Sequence, residues 1–175
     1  MNISSGYSIR PAVEADLPTL PHIEDRAGMR FATVGLSHLA EMDGLSLDEF
    51  RAYQRAGRLW VAVASDDARQ VGFAAASIIE NHAHLDEIDV LPDYSGRGIG
   101  TALIETVCAW AKESGFSVIT LSTQKDVAWN APYYAKRGFV VMPPDEWTAA
   151  YRALREAEAV RGLSIDERVL MKKML

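Results

Sequence analysis

The chain has 175 residues, 49% of them apolar and 24% charged, with a net charge of −6. That size and mix describe one soluble globular domain with a sizeable core, and an acidic balance with no run of Lys or Arg argues against a nucleic-acid partner, which would show a basic footprint. The single cysteine, Cys108, excludes an internal disulfide and a cysteine-built zinc site.

The opening residues MNISSGYSIRP lack a charged start followed by an apolar core, so no signal peptide is expected. No apolar run approaches the ~20 residues of a membrane span. The expected setting is the cytoplasm, with no membrane partner and no metal. Tyr7 to Arg10 reads as a first strand stopped by Pro11. Asp16 follows as a helix N-cap, with Pro18 tolerated in the first turn and the helix running to about Arg30. Phe31 to Leu45 is punctuated by Gly35 and Gly44. Ser46-Leu47-Asp48-Glu49 is a capping box, with Leu45 and Phe50 as its hydrophobic staple. Gly57 closes that helix.

Three strands come next: Arg58 to Ala64, Val71 to Glu80, and His84 to Leu91. Their short polar connections predict an antiparallel meander. A helix is expected from about Gly98 to Ser114. Its apolar positions Ile99, Ala102, Leu103, Thr106, Val107, Trp110 and Ala111 keep to one face. Phe116 to Thr123 is a strand, and its helical link to the preceding strand implies parallel pairing. Asn130 to Arg137 is a short helix closed by Gly138, and Phe139 to Met142 a further strand. Pro143 to Gly162 is predicted as one long helix with Trp147, Ala150, Tyr151, Leu154 and Ala157 as its apolar stripe. Val169 to Leu175 is the last strand. The outcome is a single mixed α/β (α+β) domain over residues 1–175. Its central sheet is mostly antiparallel and flanked by helices, with an extra helix before the last strand. An exposed stripe on that helix, or open sheet edges, would support a homodimer.

The most informative stretch is Leu85 to Thr101, LDEIDVLPDYSGRGIGT. A strand passes through a proline turn into three glycines and then a helix. Such a join aims several backbone N–H groups at one spot beside the positive end of a helix dipole, which suits a pyrophosphate. Gly96, Gly98 and Gly100 remove side chains that would block approach. Arg97 adds charge and Thr101 a hydroxyl. The loop lacks the Gly-Lys-Ser/Thr end of a Walker loop, and the preceding antiparallel strands do not fit a Rossmann unit.

These residues resemble the GNAT N-acetyltransferase superfamily. Its signature is Arg/Gln-x-x-Gly-x-Gly/Ala after a strand ending Val-x-Pro. Val90-Leu91-Pro92 matches the strand end and Gly98-Ile99-Gly100 the loop, while Ser95 stands at the first signature position. The second family motif, an aromatic pair followed by three residues and Gly-Phe, is carried by Tyr133-Tyr134-Ala135-Lys136-Arg137-Gly138-Phe139. The resemblance implies acetyl-CoA as co-substrate and a primary amine as acceptor, on a small molecule or a peptide. It places the pyrophosphate on Gly96, Arg97, Gly98, Ile99, Gly100 and Thr101. It places the pantetheine arm along Val90 and Leu91, and a further cofactor contact on Asn130. Tyr134 is the expected proton donor to the departing thiolate. Asp86 and Glu87 are the expected bases for the ammonium, directly or through water, with His84 behind them. Strand alternation puts His84 and Asp86 on one face and Glu87 on the other, unless a bulge resets it. The acceptor pocket is expected from Glu24 to Gly44, where Glu24, Asp25, Glu41 and Asp43 would favour a cationic acceptor. Cys108 and the four tryptophans read as packing, and His22, His38 and His82 as surface residues. The alternative to an enzyme is a non-catalytic acyl-CoA-binding sensor, which would need the glycine loop but neither Tyr134 nor an acceptor pocket.

Overall fold

The computed structural model describes residues 6–175. The first five residues, part of the segment read above for a signal peptide, lie outside the described residues. Seven strands, β1 (Tyr7–Pro11), β2 (Leu59–Ala64), β3 (Gln70–Ile79), β4 (His82–Val90), β5 (Val118–Gln124), β6 (Val140–Val141) and β7 (Arg168–Met174), form one sheet in the order β1-β2-β3-β4-β5-β7-β6. The β1–β2, β2–β3, β5–β7 and β6–β7 pairs are antiparallel, and β4–β5 is parallel. This is the mixed, mostly antiparallel sheet flanked by helices that the patterning predicts. The parallel pair exists because a 15-residue helix, α4 (Ile99–Glu113), carries the chain back between β4 and β5. Contacts divide the chain into two compact units. One holds the chain through Ser77 together with Asp86–Ala109, and the other holds Ile78–Leu85 with Trp110–Leu175.

In the first unit, α1 (Leu20–Gly28), α2 (Ser37–Ala40) and α3 (Leu47–Arg55) precede β2. Leu17, Leu20, Ile23 and Phe50 pack with Leu59, Val61, Phe73 and Ala75 of β2 and β3, and the Phe50 and Phe73 rings meet edge to face at 5.2 Å. The capping box forms as read: the Glu49 N–H donates to Ser46 Oγ at 3.3 Å and the Ser46 N–H to Glu49 Oε2 at 2.8 Å. Leu45 packs on the same cluster as Phe50. Gly57 follows with φ +68°, the left-handed turn expected of a helix-ending glycine.

Asp16 does not cap the helix as expected. It sits within a 3-10 turn, Glu14–Thr19, and α1 starts only at Leu20. Pro18 and Pro21 each lack an N–H, which removes early helical bonds and tightens the turn. Asp16 is instead a buried clamp, accepting hydrogen bonds from Arg10 at 2.7 and 3.0 Å, Gln70 at 2.7 Å and the Val13 N–H at 2.8 Å. Burial pushes its carboxyl up, but these donors outweigh burial and hold it below the usual range. After α1 a second 3-10 turn, Met29–Val34, ends at Gly35.

In the second unit, α5 (Ala131–Ala135) and α6 (Ala149–Val160) flank β5, β6 and β7. The long helix expected over Pro143 to Gly162 is broken: a 3-10 turn spans Pro144–Glu146, Trp147 is extended, and Thr148 starts α6. The Trp147 indole donates to the Met142 carbonyl at 2.9 Å and fixes that break. Tyr151 and the half-buried Trp147 and Leu154 pack with Met142 and Leu170, but Ala157 is exposed. The stripe continues through charge instead. Glu158 receives Arg155 at 3.0 Å on one oxygen and Arg168 at 3.0 and 3.2 Å on the other. Both Arg155 and Glu158 are 7% exposed. Arg155 also donates to the carbonyls of Ile165 and Arg168, and Arg168 to that of Ser122. Removing Glu158 leaves the buried Arg155 guanidinium without its counter-charge and takes one from the part-buried Arg168. The Glu158→Ala protein is therefore expected to lose about 3–5 kcal/mol of stability in urea unfolding, whereas Glu156→Ala on the exposed face should lose almost none.

Candidate active site

The first unit carries the glycine loop. β4 ends at Val90, and the Leu91 N–H donates to the Val71 carbonyl at 2.9 Å. Pro92–Tyr94 makes one 3-10 turn, closed by Tyr94 N–H to Leu91 O at 2.9 Å and Ser95 N–H to Pro92 O at 3.1 Å. Gly96 and Gly98 then take φ values of +76° and +82°, a conformation that costs a side-chain-bearing residue ~1–2 kcal/mol. The buried Ile99 opens α4, and the first turn closes with Ala102 N–H to Gly98 O at 3.0 Å. Among the described residues, the main-chain N–H groups of Gly96, Arg97, Gly98, Ile99 and Gly100 donate to no protein acceptor. A Cβ at Gly96 would meet nothing within 4 Å, and one at Gly98 only the Tyr7 hydroxyl at 3.6 Å. The loop thus presents a row of unspent donors with open space before it, at the positive end of a four-turn helix. That geometry suits a bound anion such as a diphosphate.

A carboxylate cluster occupies the same unit. Asp86 and Glu87 are half-buried on β4. Burial raises the Asp86 carboxyl to about 6, opposed by the Ser77 and Tyr53 hydroxyls and by Arg58. Its Oδ2 is buried without a hydrogen-bond partner. Tyr53, half-buried on α3 and packed against the apolar core, has its phenol pushed up by burial, then by Asp86, Glu87 and Glu49. Both candidate bases therefore act on one hydroxyl, Asp86 the more strongly. Asp89, also half-buried on β4, has its carboxyl raised by burial and by Glu87 and Glu24, with Arg30 opposing. Glu24 accepts the Leu45 N–H at 2.9 Å and so ties α1 to the start of α3. Of the acceptor-pocket stretch, Glu24 turns inward, while Asp25, Arg26, His38, Glu41 and Asp43 are exposed. The reading from residues alone missed Tyr53 and Arg30. Tyr53 belongs to the apolar side of an amphipathic helix, and nothing local marks its hydroxyl for a carboxylate on β4.

The second unit carries the remaining candidates. Tyr134 is 7% exposed on α5. Its ring meets those of Tyr133 and Phe139 edge to face, each at 5.7 Å, and its N–H donates to the Asn130 carbonyl at 3.0 Å. Asn130 donates its amide Nδ2 to Thr123 at 2.8 Å, leaving a buried Oδ1 without a partner. His84 is buried and shares a 2.8 Å hydrogen bond with Thr120 of β5. Burial lowers its pKa to about 4, with Glu158 opposing, so the ring stays neutral near pH 7. His82 is not a free surface residue as expected, because it bonds the Tyr151 hydroxyl at 2.8 Å. Among the described residues no group of three His, Cys, Asp or Glu side chains is arranged to hold a metal ion, and no helix is long and apolar enough to cross a membrane.

The family model described as the acetyltransferase (GNAT) family matches residues 30–139. Streptothricin acetyltransferase A of Bacillus subtilis strain 168 is 37% identical over 60 residues, 34% of this chain and 35% of that protein. An uncharacterized N-acetyltransferase of Methanocaldococcus jannaschii is 36% identical over 80 residues, 42% of this chain and 35% of that protein. The chain thus matches about a third of the length of these curated relatives. Among solved structures, the PaiA N-acetyltransferase of Thermoplasma acidophilum, in complex with coenzyme A, superposes with a TM-score of 0.71 at 18% identity, over 97% of this chain and 99% of that one. A GNAT-family acetyltransferase of Staphylococcus aureus Mu50 superposes with a TM-score of 0.72 at 17% identity, over 97% and 99% of the two chains. At such identities the likeness establishes a shared fold.

Proposed function

This chain belongs to the acetyltransferase (GNAT) family, and from that membership we propose that it is an N-acetyltransferase moving the acetyl group of acetyl-CoA to a primary amine. The observation that carries the proposal is the run of undonated N–H groups from Gly96 to Gly100 at the head of α4. They would hold the diphosphate, with Thr101 beside them in the first turn and Asn130 as a further contact to the cofactor. The pantetheine amides would pair with the backbone of Val90 and Leu91 as an added strand does.

The acceptor nitrogen must first lose a proton. Asp86 suits that task better than His84. Its carboxyl near 6 is ionised at neutral pH yet basic enough to take a proton, whereas His84 is a weak base already bonded to Thr120. The free amine then attacks the thioester carbonyl. A C–N bond forms, and a backbone N–H near Val90 steadies the oxyanion. The C–S bond breaks, the thiolate takes a proton from Tyr134, and the second proton shed by the acylated nitrogen restores the Tyr134 hydroxyl as the amide forms. The carboxylates of Glu24, Asp86 and Glu87 favour a cationic acceptor on a small molecule or a peptide.

Calorimetry with CoA, followed by thiol release across polyamines, amino sugars and lysine peptides, tests the reading. CoA at a hundred times its Kd should add about 2.7 kcal/mol of stability, and at least one amine should release thiol. CoA uptake without thiol release from any amine would favour the sensor reading. No uptake at all would remove both.

A further inference from the structure

We infer that Arg69, together with Arg97 and Tyr94, forms a phosphate clamp beside the glycine loop that holds the nucleotide half of coenzyme A. The inference rests on the coenzyme A reading above and adds to it a side chain that lies outside the loop. An open depression of about 320 Å³ lies against the loop, lined by Tyr7, Ser65, Asp66, Tyr94, Arg97 and Ile99, among others. Arg97 and Ile99 belong to the loop and to the start of α4, and Arg69, which does not itself line the depression, reaches it through Tyr94, which does.

Tyr94 is the centre of the arrangement. The Arg97 guanidinium carbon lies 4.8 Å from its ring centroid and that of Arg69 lies 5.4 Å from it. Arg69 also donates to the Tyr94 hydroxyl at 3.1 Å, and Arg97 to the Asp93 carbonyl at 3.0 Å. Two like charges thus converge on one aromatic ring. Their neutralisation within the protein is slight. Arg69 has Asp67 at 3.9 Å with both side chains about half exposed, a pairing of little energy in water, and Arg97 makes no ion pair among the described residues. Each guanidinium still has donors to spare, in the planar fork that matches phosphate oxygens. Arg69 is exposed, at the tip of the β2–β3 hairpin, where chain packing makes no demand for a cation.

A phosphate at the mouth of the depression would relieve the mutual repulsion of the two cations. Coenzyme A offers two sources, its diphosphate and its 3′-phosphate, and the two are separable by ligand. The experiment is calorimetric titration of the full chain, Arg69→Ala and Arg69→Lys with CoA and with 3′-dephospho-CoA at fixed salt. Loss of one charge-assisted phosphate contact should weaken CoA binding about tenfold in Arg69→Ala. Arg69→Lys should recover part of the loss, because a point charge replaces a fork. Weakening confined to CoA assigns the 3′-phosphate, and equal weakening with both ligands assigns the diphosphate. An Arg69→Ala protein that binds CoA as the unaltered chain does overturns the clamp while leaving the coenzyme A reading in place. If the unaltered chain takes up no CoA, the fault lies with that earlier reading.

Discussion

Replacing Tyr134 with phenylalanine is expected to lower kcat by about a hundredfold or more, the usual scale of a lost general acid, and to leave the Kd of CoA nearly unchanged. The expectation follows from how the residue is held. Tyr134 is buried on a five-residue helix whose start is fixed by the Asn130 carbonyl, and its ring is gripped edge to face by Tyr133 and Phe139. Phenylalanine keeps every one of those ring contacts, so the fold and the neighbouring backbone should persist. What disappears is one hydroxyl able to give a proton to the departing sulfur. A ground-state contact would raise KM with kcat preserved. A transition-state contact lowers kcat and kcat/KM together. Steady-state kinetics with a saturating amine, run beside CoA calorimetry, separates the two. Undiminished turnover would take Tyr134 out of the mechanism.

Local signals carried much of the fold, and long-range partners carried the rest. The Ser46–Glu49 capping box, the Gly57 stop and the strand–turn–glycine–helix passage at Val90 to Thr101 are encoded within a few residues of one another. Each formed where the sequence places it. Asp16 was misread because its partners are Arg10, Val13 and Gln70, and the last of these is 54 positions away. The break at Trp147 was missed because the signal is an indole N–H finding the Met142 carbonyl, which no periodicity reports. Periodicity alone runs the stripe of α6 through Ala157, because the burial of Arg155 and Glu158 depends on Arg168 arriving from β7. The same division runs through the candidate site. The loop was legible because its donors are contiguous backbone. Ser95 supplies no charge at the first signature position, and Arg69, which donates to Tyr94 just before it, comes from a hairpin tip 25 residues before Tyr94. The pairing of Asp86 with Tyr53 likewise needed β4 and α3 side by side.

Asp86 should reveal itself by moving stability and activity in opposite directions. Burial holds its carboxyl near 6, with only partial relief from Ser77, Tyr53 and Arg58, against about 3.9 in an unfolded chain. The folded protein therefore binds this proton more tightly than the unfolded one. The associated stability is complete below pH 4 and is lost as the pH rises through 6. At pH 7 the native state bears a buried charge with an unpartnered Oδ2, a cost on the order of 2–3 kcal/mol for a shift of that size. Asparagine has the same shape and never ionises. Asp86→Asn should match the unaltered protein's Tm near pH 4 and exceed it at pH 7. Its turnover should fall about a hundredfold, and the activity that remains should lack the loss below pH 6 that a base of this pKa imposes. On the proposed mechanism this carboxylate trades stability for the proton transfer the amine needs. A variant that gains stability but keeps full turnover would shift the base to Glu87, and one that melts identically at both pH values would deny that the Asp86 charge is buried at all.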